Sequence, residues 1–108
     1  MFNAIKGNNM SAVLESVTFR LIEGTTVGAF TQACEATFAW VRKQPGFMHR
    51  VLCCDDGGQW SDQVLWTSMA HAKAASEAFM HSFGDSAFMA SMDPNSVKMQ
   101  HNMVHAHT

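Results

Sequence analysis

The chain has no tyrosine, only two prolines and only seven Lys and Arg among its 108 residues. So few cations, without a basic cluster and with a formal charge of -2, leave no electrostatic footprint for a phosphate backbone, which argues against a nucleic-acid partner. No apolar run approaches the roughly 20 residues that span a bilayer, and the start MFNAIKGNNM lacks the apolar centre of a signal peptide. No membrane partner is therefore expected, and the chain reads as cytoplasmic. The three cysteines are an odd count, and Cys53 and Cys54, adjacent on an extended run, point to opposite faces; reduced thiols are expected rather than a structural disulfide. There is no P-loop, no dinucleotide-binding glycine fingerprint, no G-x-S-x-G and no C-x-x-C, so those chemistries are set aside.

What is present is 47% hydrophobic, enough for one compact core in a chain too short for two ordinary domains. Residues 1–12 read as a loose leader and residues 13–108 as a single domain. Nine methionines are available to fill irregular apolar space or to adapt to a flat ligand, and three of the six histidines fall in the last eight residues.

The run ESVTFRLI from Glu15 to Ile22 alternates as a half-buried strand does, with Val17, Phe19 and Leu21 on one side and Thr18 and Arg20 on the other. Thr25 or Thr26 can cap a helix reaching about Lys43, with Val27, Phe30, Cys34, Phe38 and Val41 in an apolar stripe. Pro45-Gly46 ends it. From Gln44 to Thr67 two strand-like runs flank Asp55-Asp56-Gly57-Gly58, whose residues accept positive φ, and so predict an antiparallel hairpin. An even loop centred on Gly57-Gly58 sets His49 opposite Trp66, Val51 opposite Val64 and Cys53 opposite Asp62, all on one face; a one-residue change in loop length would scramble that face. Ser68 can cap an Ala-rich second helix, MAHAKAASEAFMHSF, with Ala72, Ala75, Phe79 and Phe83 along one stripe. A short helical turn over residues 84–92 and an alternating strand over residues 96–106 follow, the latter with Val97, Met99, His101, Met103 and His105 on one side.

The order βαββαβ suits an α+β, ferredoxin-like sandwich: an antiparallel sheet with both helices on one face. Numbering the four expected strands in chain order, that fold places them 4-1-3-2. The other sheet face, expected to hold Thr18, Arg20, Arg50, Leu52, Gln63 and Leu65, is too apolar in patches to be wholly solvated, so a second copy of the chain is its expected cover.

QPGF at residues 44–47, the hairpin leading into WSDQVLW at residues 60–66, and AHAKAA at residues 70–75 resemble the antibiotic biosynthesis monooxygenase-like family of dimeric α+β barrels. The resemblance runs from about Val13 to His105. It implies a homodimer in which two sheets close a barrel, with a small-molecule pocket in each subunit between sheet and helices. Members include cofactor-independent monooxygenases acting on aromatic polyketides, quinol oxygenases and haem-degrading enzymes. The haem-degrading branch typically combines an Asn on the first strand, a Trp on the third and a His on the second helix. Here Trp66 matches, but the first strand has no Asn and the helix position ten residues beyond Trp66 is Ser76.

The candidate chemistry centres on a small aromatic ligand under the helices, handled without a cofactor. His49 and Trp66, as cross-strand neighbours, suit the binding of a planar phenol or quinol and removal of its proton, with His49 as base and Trp66 as stacking wall. Phe19, Val64 and Phe79 are the expected remaining wall. Asp62, a carboxylate among apolar groups, would be a second catalytic group. His101, His105 and His107 alternate and could hold a transition metal, although a solvated strand end explains them more simply, and no metal is expected. His71 and His81 lie about 80° apart around their helix and make no pair. Cys34 reads as a small hydrophobe. The rival to a cofactor-independent monooxygenase is a non-catalytic ligand-binding or stress-related dimer in which the same pocket is merely core.

Overall fold

The computed structural model describes residues 11–108, together with the backbone of Asn3 and Ala4. The leader expected over residues 1–12 lies largely outside the described residues, but its last two, Ser11 and Ala12, are buried. In chain order the elements are β1 (Asn3–Ala4), β2 (Val13–Phe19), α1 (Val27–Val41), β3 (Phe47–Cys54), β4 (Trp60–Trp66), α2 (Met69–Phe83), α3 (Ala87–Ala90), β5 (Lys98–Met103) and β6 (Ala106–His107). A four-stranded antiparallel sheet runs β3-β4-β2-β5, the strand order expected of a ferredoxin-like sandwich, and β1 pairs with β6 as a separate ribbon. No helix among the described residues is long and apolar enough to cross a membrane.

Both long helices begin where a hydroxyl can take an orphan amide. Thr26 accepts from the Ala29 N–H and Ser68 from the His71 N–H. α1 buries Phe30, Cys34, Thr37 and Val41, three or four residues apart, whereas Val27, expected on that stripe, is exposed because it lies in the first turn, ahead of the packed face. α2 buries Ala72 and Ala75, and the absence of bulk there lets the helix approach the sheet closely. Gly46, at φ 81, sits against the His71 ring, and any Cβ at this position would collide with it. The core divides in two. Val13, Val41, Val64, Trp66, Ala72 and Ala75 form one cluster; Phe19, Phe30, Cys34, Trp60, Phe88 and Met92 form the other.

The hairpin departs from its expected register. Five residues, 55–59, connect Cys54 to Trp60: the Asp55 carboxylate accepts from the Gly57 and Gln59 N–H groups at 2.9 Å each, and Gly58 takes φ 86. With this odd loop Arg50 pairs with Val64, Leu52 with Asp62 and Cys53 with Ser61. The faces of β3 are therefore exchanged relative to expectation. Arg50 and Leu52 lie under the helices, and His49, Val51 and Cys53 point to the opposite side. A bulge between Phe47 and His49 then brings Phe47 back opposite Trp66, their ring centroids 6.0 Å apart. On edge strand β5 the helices provide little cover, so Met99 and Met103, on the helix side, are exposed.

Candidate functional site

Between the sheet and the helices, drawing on both core clusters, lies a cavity of about 250 Å³. That is near the small end of ligand-sized pockets, which begin at roughly 300 Å³. Its walls are mainly aromatic and aliphatic: Trp66 and Val64 from β4, Val17 from β2, Trp40 from α1, Phe79 from α2 and Phe88 from α3. Phe79 holds two of these rings edge-on, with Trp40 at 5.7 Å and Phe88 at 5.9 Å between centroids. Four polar side chains interrupt this lining: Glu15, Arg50, Asp62 and Ser76.

Two of the four neutralise each other. Arg50 donates from Nε to Asp62 Oδ1 at 2.9 Å and from Nη2 to Oδ2 at 2.7 Å, a bidentate pair with side-chain exposures of 5% and 12%. Its third nitrogen, Nη1, donates to Thr37 Oγ1 at 2.9 Å, and the guanidinium lies 4.2 Å from the centre of the Phe38 ring. Asp62 thus faces the cavity, as expected, but both of its oxygens are held by Arg50.

Glu15 has a different setting. Its Oε2 lies 2.8 Å from His101 Nε2, across the β2–β5 pairing that sets these two residues side by side. Burial pushes the Glu15 carboxyl above its ordinary value, and the Asp62 charge pushes the same way; the hydrogen bond and charge of His101 oppose the rise. The Trp66 indole N–H, which is buried without a partner in full hydrogen-bond geometry, is close enough to the carboxyl to favour its ionised form. Glu15 is thus a buried carboxyl on the cavity wall with the His101 imidazole and the Trp66 N–H beside it.

The raised value fixes a pH dependence. A carboxyl that binds its proton more tightly when folded stabilises the protein fully below the unfolded value of about 4.5, and that contribution is lost as pH rises through the folded value. Glu15→Gln removes this term. Urea unfolding followed from pH 4 upward should show wild type losing stability relative to Glu15→Gln as pH rises through that window; parallel curves would refute the assignment.

Trp66, Val64 and Phe79 line the cavity as expected. Phe19 does not. It is fully buried in the second core cluster, stacked on Trp60 at 6.3 Å and edge-on to Phe30 at 5.6 Å. His49 does not reach the cavity either, because the five-residue loop and the bulge place it opposite Leu65 on the far face, where it is exposed. The same shift moves Cys53 away from Asp62. Arg50, Glu15 and His101 are the residues whose part in the site was not anticipated. Glu15 had a visible sign, since it occupies the same alternation as Val13, Val17 and Phe19 and so is a charge on an apolar face.

Of the remaining candidates, Cys34 is a buried thiol whose pKa burial pushes up to about 11, so it is not a thiolate nucleophile. His71 accepts or shares hydrogen bonds with Ser68 and Thr67 at the start of α2. Among the described residues no cluster of three His, Cys, Asp or Glu side chains could hold a metal ion, and of the terminal histidines His101 is engaged by Glu15.

No family model and no curated protein matches the sequence. Solved structures do match the fold. A "putative monooxygenase" from Shewanella loihica PV-4 superposes with a TM-score of 0.65 at 17% identity, covering 88% of this chain and 96% of its own. SnoaB, a cofactor-independent oxygenase from Streptomyces nogalater, gives 0.62 at 17% identity over 91% of this chain and 92% of its own. PA3566 from Pseudomonas aeruginosa gives 0.69 at 16% identity over 91% and 98%. The likeness establishes a shared fold, in agreement with the resemblance carried by the QPGF, WSDQVLW and AHAKAA segments.

Proposed function

We propose that the protein is a homodimeric α+β barrel whose cavity binds a small aromatic molecule and oxygenates it without a cofactor. The observation that carries this is the aromatic cavity with one buried carboxyl, Glu15, left facing it after Arg50 has neutralised Asp62. A phenol or enol that loses a proton in such a site becomes an electron-rich carbanion able to reduce dioxygen directly. A ring methylene is then converted to a carbonyl, one oxygen atom entering the ring and the other leaving as water. The two oxygenase-type structural neighbours support the same chemistry. Trp66, Val64 and Phe79 form the substrate wall, and Asp62 is the second polar group, held in place by Arg50.

A second subunit suits the far face of the sheet. There Val51 is 43% exposed, on the same face as Leu14 and Leu65, with no helix among the described residues over it. Light scattering on the purified protein should give twice the mass of the 11.9 kDa chain; a monomer at micromolar concentration would remove the barrel from the proposal.

The decisive test is a thermal-shift screen with anthrone, naphthols, quinols, flavin and hemin, with oxygen uptake recorded for each hit. A ligand present at about 100 times its dissociation constant should raise the melting temperature by roughly 10–20 °C in a domain of this size. Stabilisation by anthrone or a quinol with oxygen consumption is the expected result. Stabilisation without oxygen uptake would leave a binding protein and overturn the oxygenase, as would response to hemin alone.

A further inference from the structure

We infer that Glu15 is the group that takes the proton from a ligand in the cavity, and that His101 is the route by which that proton leaves to solvent. The inference rests on the oxygenase reading of the cavity for its substrate and adds the acid–base machinery to it.

The geometry is that of a wall with two sides. Glu15 is on the cavity lining and only 9% exposed, whereas His101 is not part of the lining and its side chain is 21% exposed on edge strand β5, which the helices leave uncovered. Besides the β2–β5 pairing of their backbones, their side chains meet in the 2.8 Å link from Glu15 Oε2 to His101 Nε2. Among the described residues it is the carboxylate's one hydrogen bond in full geometry, with the Trp66 indole N–H close by. One oxygen is thus bound to the partly exposed imidazole, and the carboxylate keeps acceptor lone pairs for a ligand.

The alternatives in the cavity are already committed. Asp62 accepts two hydrogen bonds from Arg50, one at each oxygen, and these engage the oxygens a substrate proton would need. Ser76 makes no hydrogen bond to a titratable side chain among the described residues. The titratable groups facing Glu15 are His101 from β5 and Asp62 from β4, and the Trp66 N–H lies on the same side. Burial raises the Glu15 carboxyl toward the neutral range in which a general base works best, consistent with the geometry.

In the step, the C–H or O–H bond of the ligand breaks, its electron pair stays on the ring, and the proton goes to the Glu15 carboxylate. The carboxylate is regenerated when a proton passes to the His101 imidazole and from the imidazolium to water. Among the described residues of the cavity lining the one Lys or Arg side chain, Arg50, is paired, so the ligand class is a neutral, weakly acidic aromatic ring rather than a carboxylate-bearing one.

Deuterium exchange into the methylene of anthrone, in heavy water without oxygen, reads proton removal separately from oxygenation. Wild type should accelerate exchange over buffer, and Glu15→Gln should lower the acceleration by about 100-fold or more, with Glu15→Asp retaining part of it. Quenching of tryptophan fluorescence by anthrone shows that each variant is folded and loaded. His101→Ala should lose part of the rate and recover it on addition of imidazole. Exchange in loaded Glu15→Gln equal to wild type would overturn the assignment of Glu15, and loss in His101→Ala that imidazole does not restore would overturn the exit route. Exchange that depends on Glu15 but yields no oxygen uptake in air would uphold the base while removing the oxygenase; no exchange over buffer in wild type would overturn the base.

Discussion

Arg50→Ala is expected to lower the free energy of unfolding by about 3–5 kcal/mol, a large share of the roughly 5–15 kcal/mol available to a domain of this kind. The reason is the partner left behind. Asp62 is 9% exposed, and without Arg50 both of its oxygens face apolar walls with no donor. Thr37, fully buried, loses the donor at its hydroxyl, and the Phe38 ring loses the cation above it. Removing the pair together should be far milder. In Arg50→Met/Asp62→Leu the charges vanish and their volume is largely retained, so most of the loss should be recovered. Urea unfolding of the two variants gives the answer, and Arg50→Ala within 1 kcal/mol of wild type would mean that water already reaches the pair.

The same pair shows where sequence and structure part company. The two hydroxyl caps and the Ala-rich face of α2 are local patterns, each written in a few adjacent residues and found where its pattern lies, and the strand order is the one that suits the βαββαβ succession of such elements. Which face of β3 turns inward is not local. It depends on whether Asp55-Asp56-Gly57-Gly58-Gln59 closes as an even or an odd loop, and β3 offers the core a histidine and a valine on one side and an arginine and a leucine on the other. Hydrophobicity favours the first side; the structure takes the second, because Asp62 on the neighbouring strand gives a buried arginine its counter-charge, and Asp55 binds two amides of the longer loop. A strand that can bury either face by composition is settled by pairing, and pairing is read only in three dimensions.

For the cavity the position is similar. Trp66, Val64 and Phe79 are large apolar residues at regular spacing, so their place in the wall follows from periodicity. The Glu15–His101 pair joins residues 86 apart in the chain through the antiparallel contact of β2 with β5, and no spacing rule connects them. Alternation in the last strand sets His101 on the same side as Met99 and Met103, but does not say which residue it meets across the sheet.

Trp66 should show the largest combined effect on stability and on the site. Its side chain is 2% exposed, packs in the cluster of Val13, Val41, Val64, Ala72 and Ala75, meets Phe47 edge-on, and at the same time forms a wall of the cavity. Trp66→Ala should therefore lower the unfolding free energy by about 3–5 kcal/mol and abolish the thermal shift given by aromatic ligands, because the void merges with the cavity. Trp66→Phe separates the ring from its N–H. It keeps an aromatic wall, so the loss of stability should be clearly smaller and ligand binding should persist. The N–H, however, favours the ionised form of Glu15, and without it the carboxyl should hold its proton to higher pH. The acid limb of anthrone exchange should accordingly move upward in Trp66→Phe relative to wild type. A limb that stays in place while binding persists would show that the indole N–H has no hold on Glu15, and a limb that moves downward would reverse the sign of that interaction.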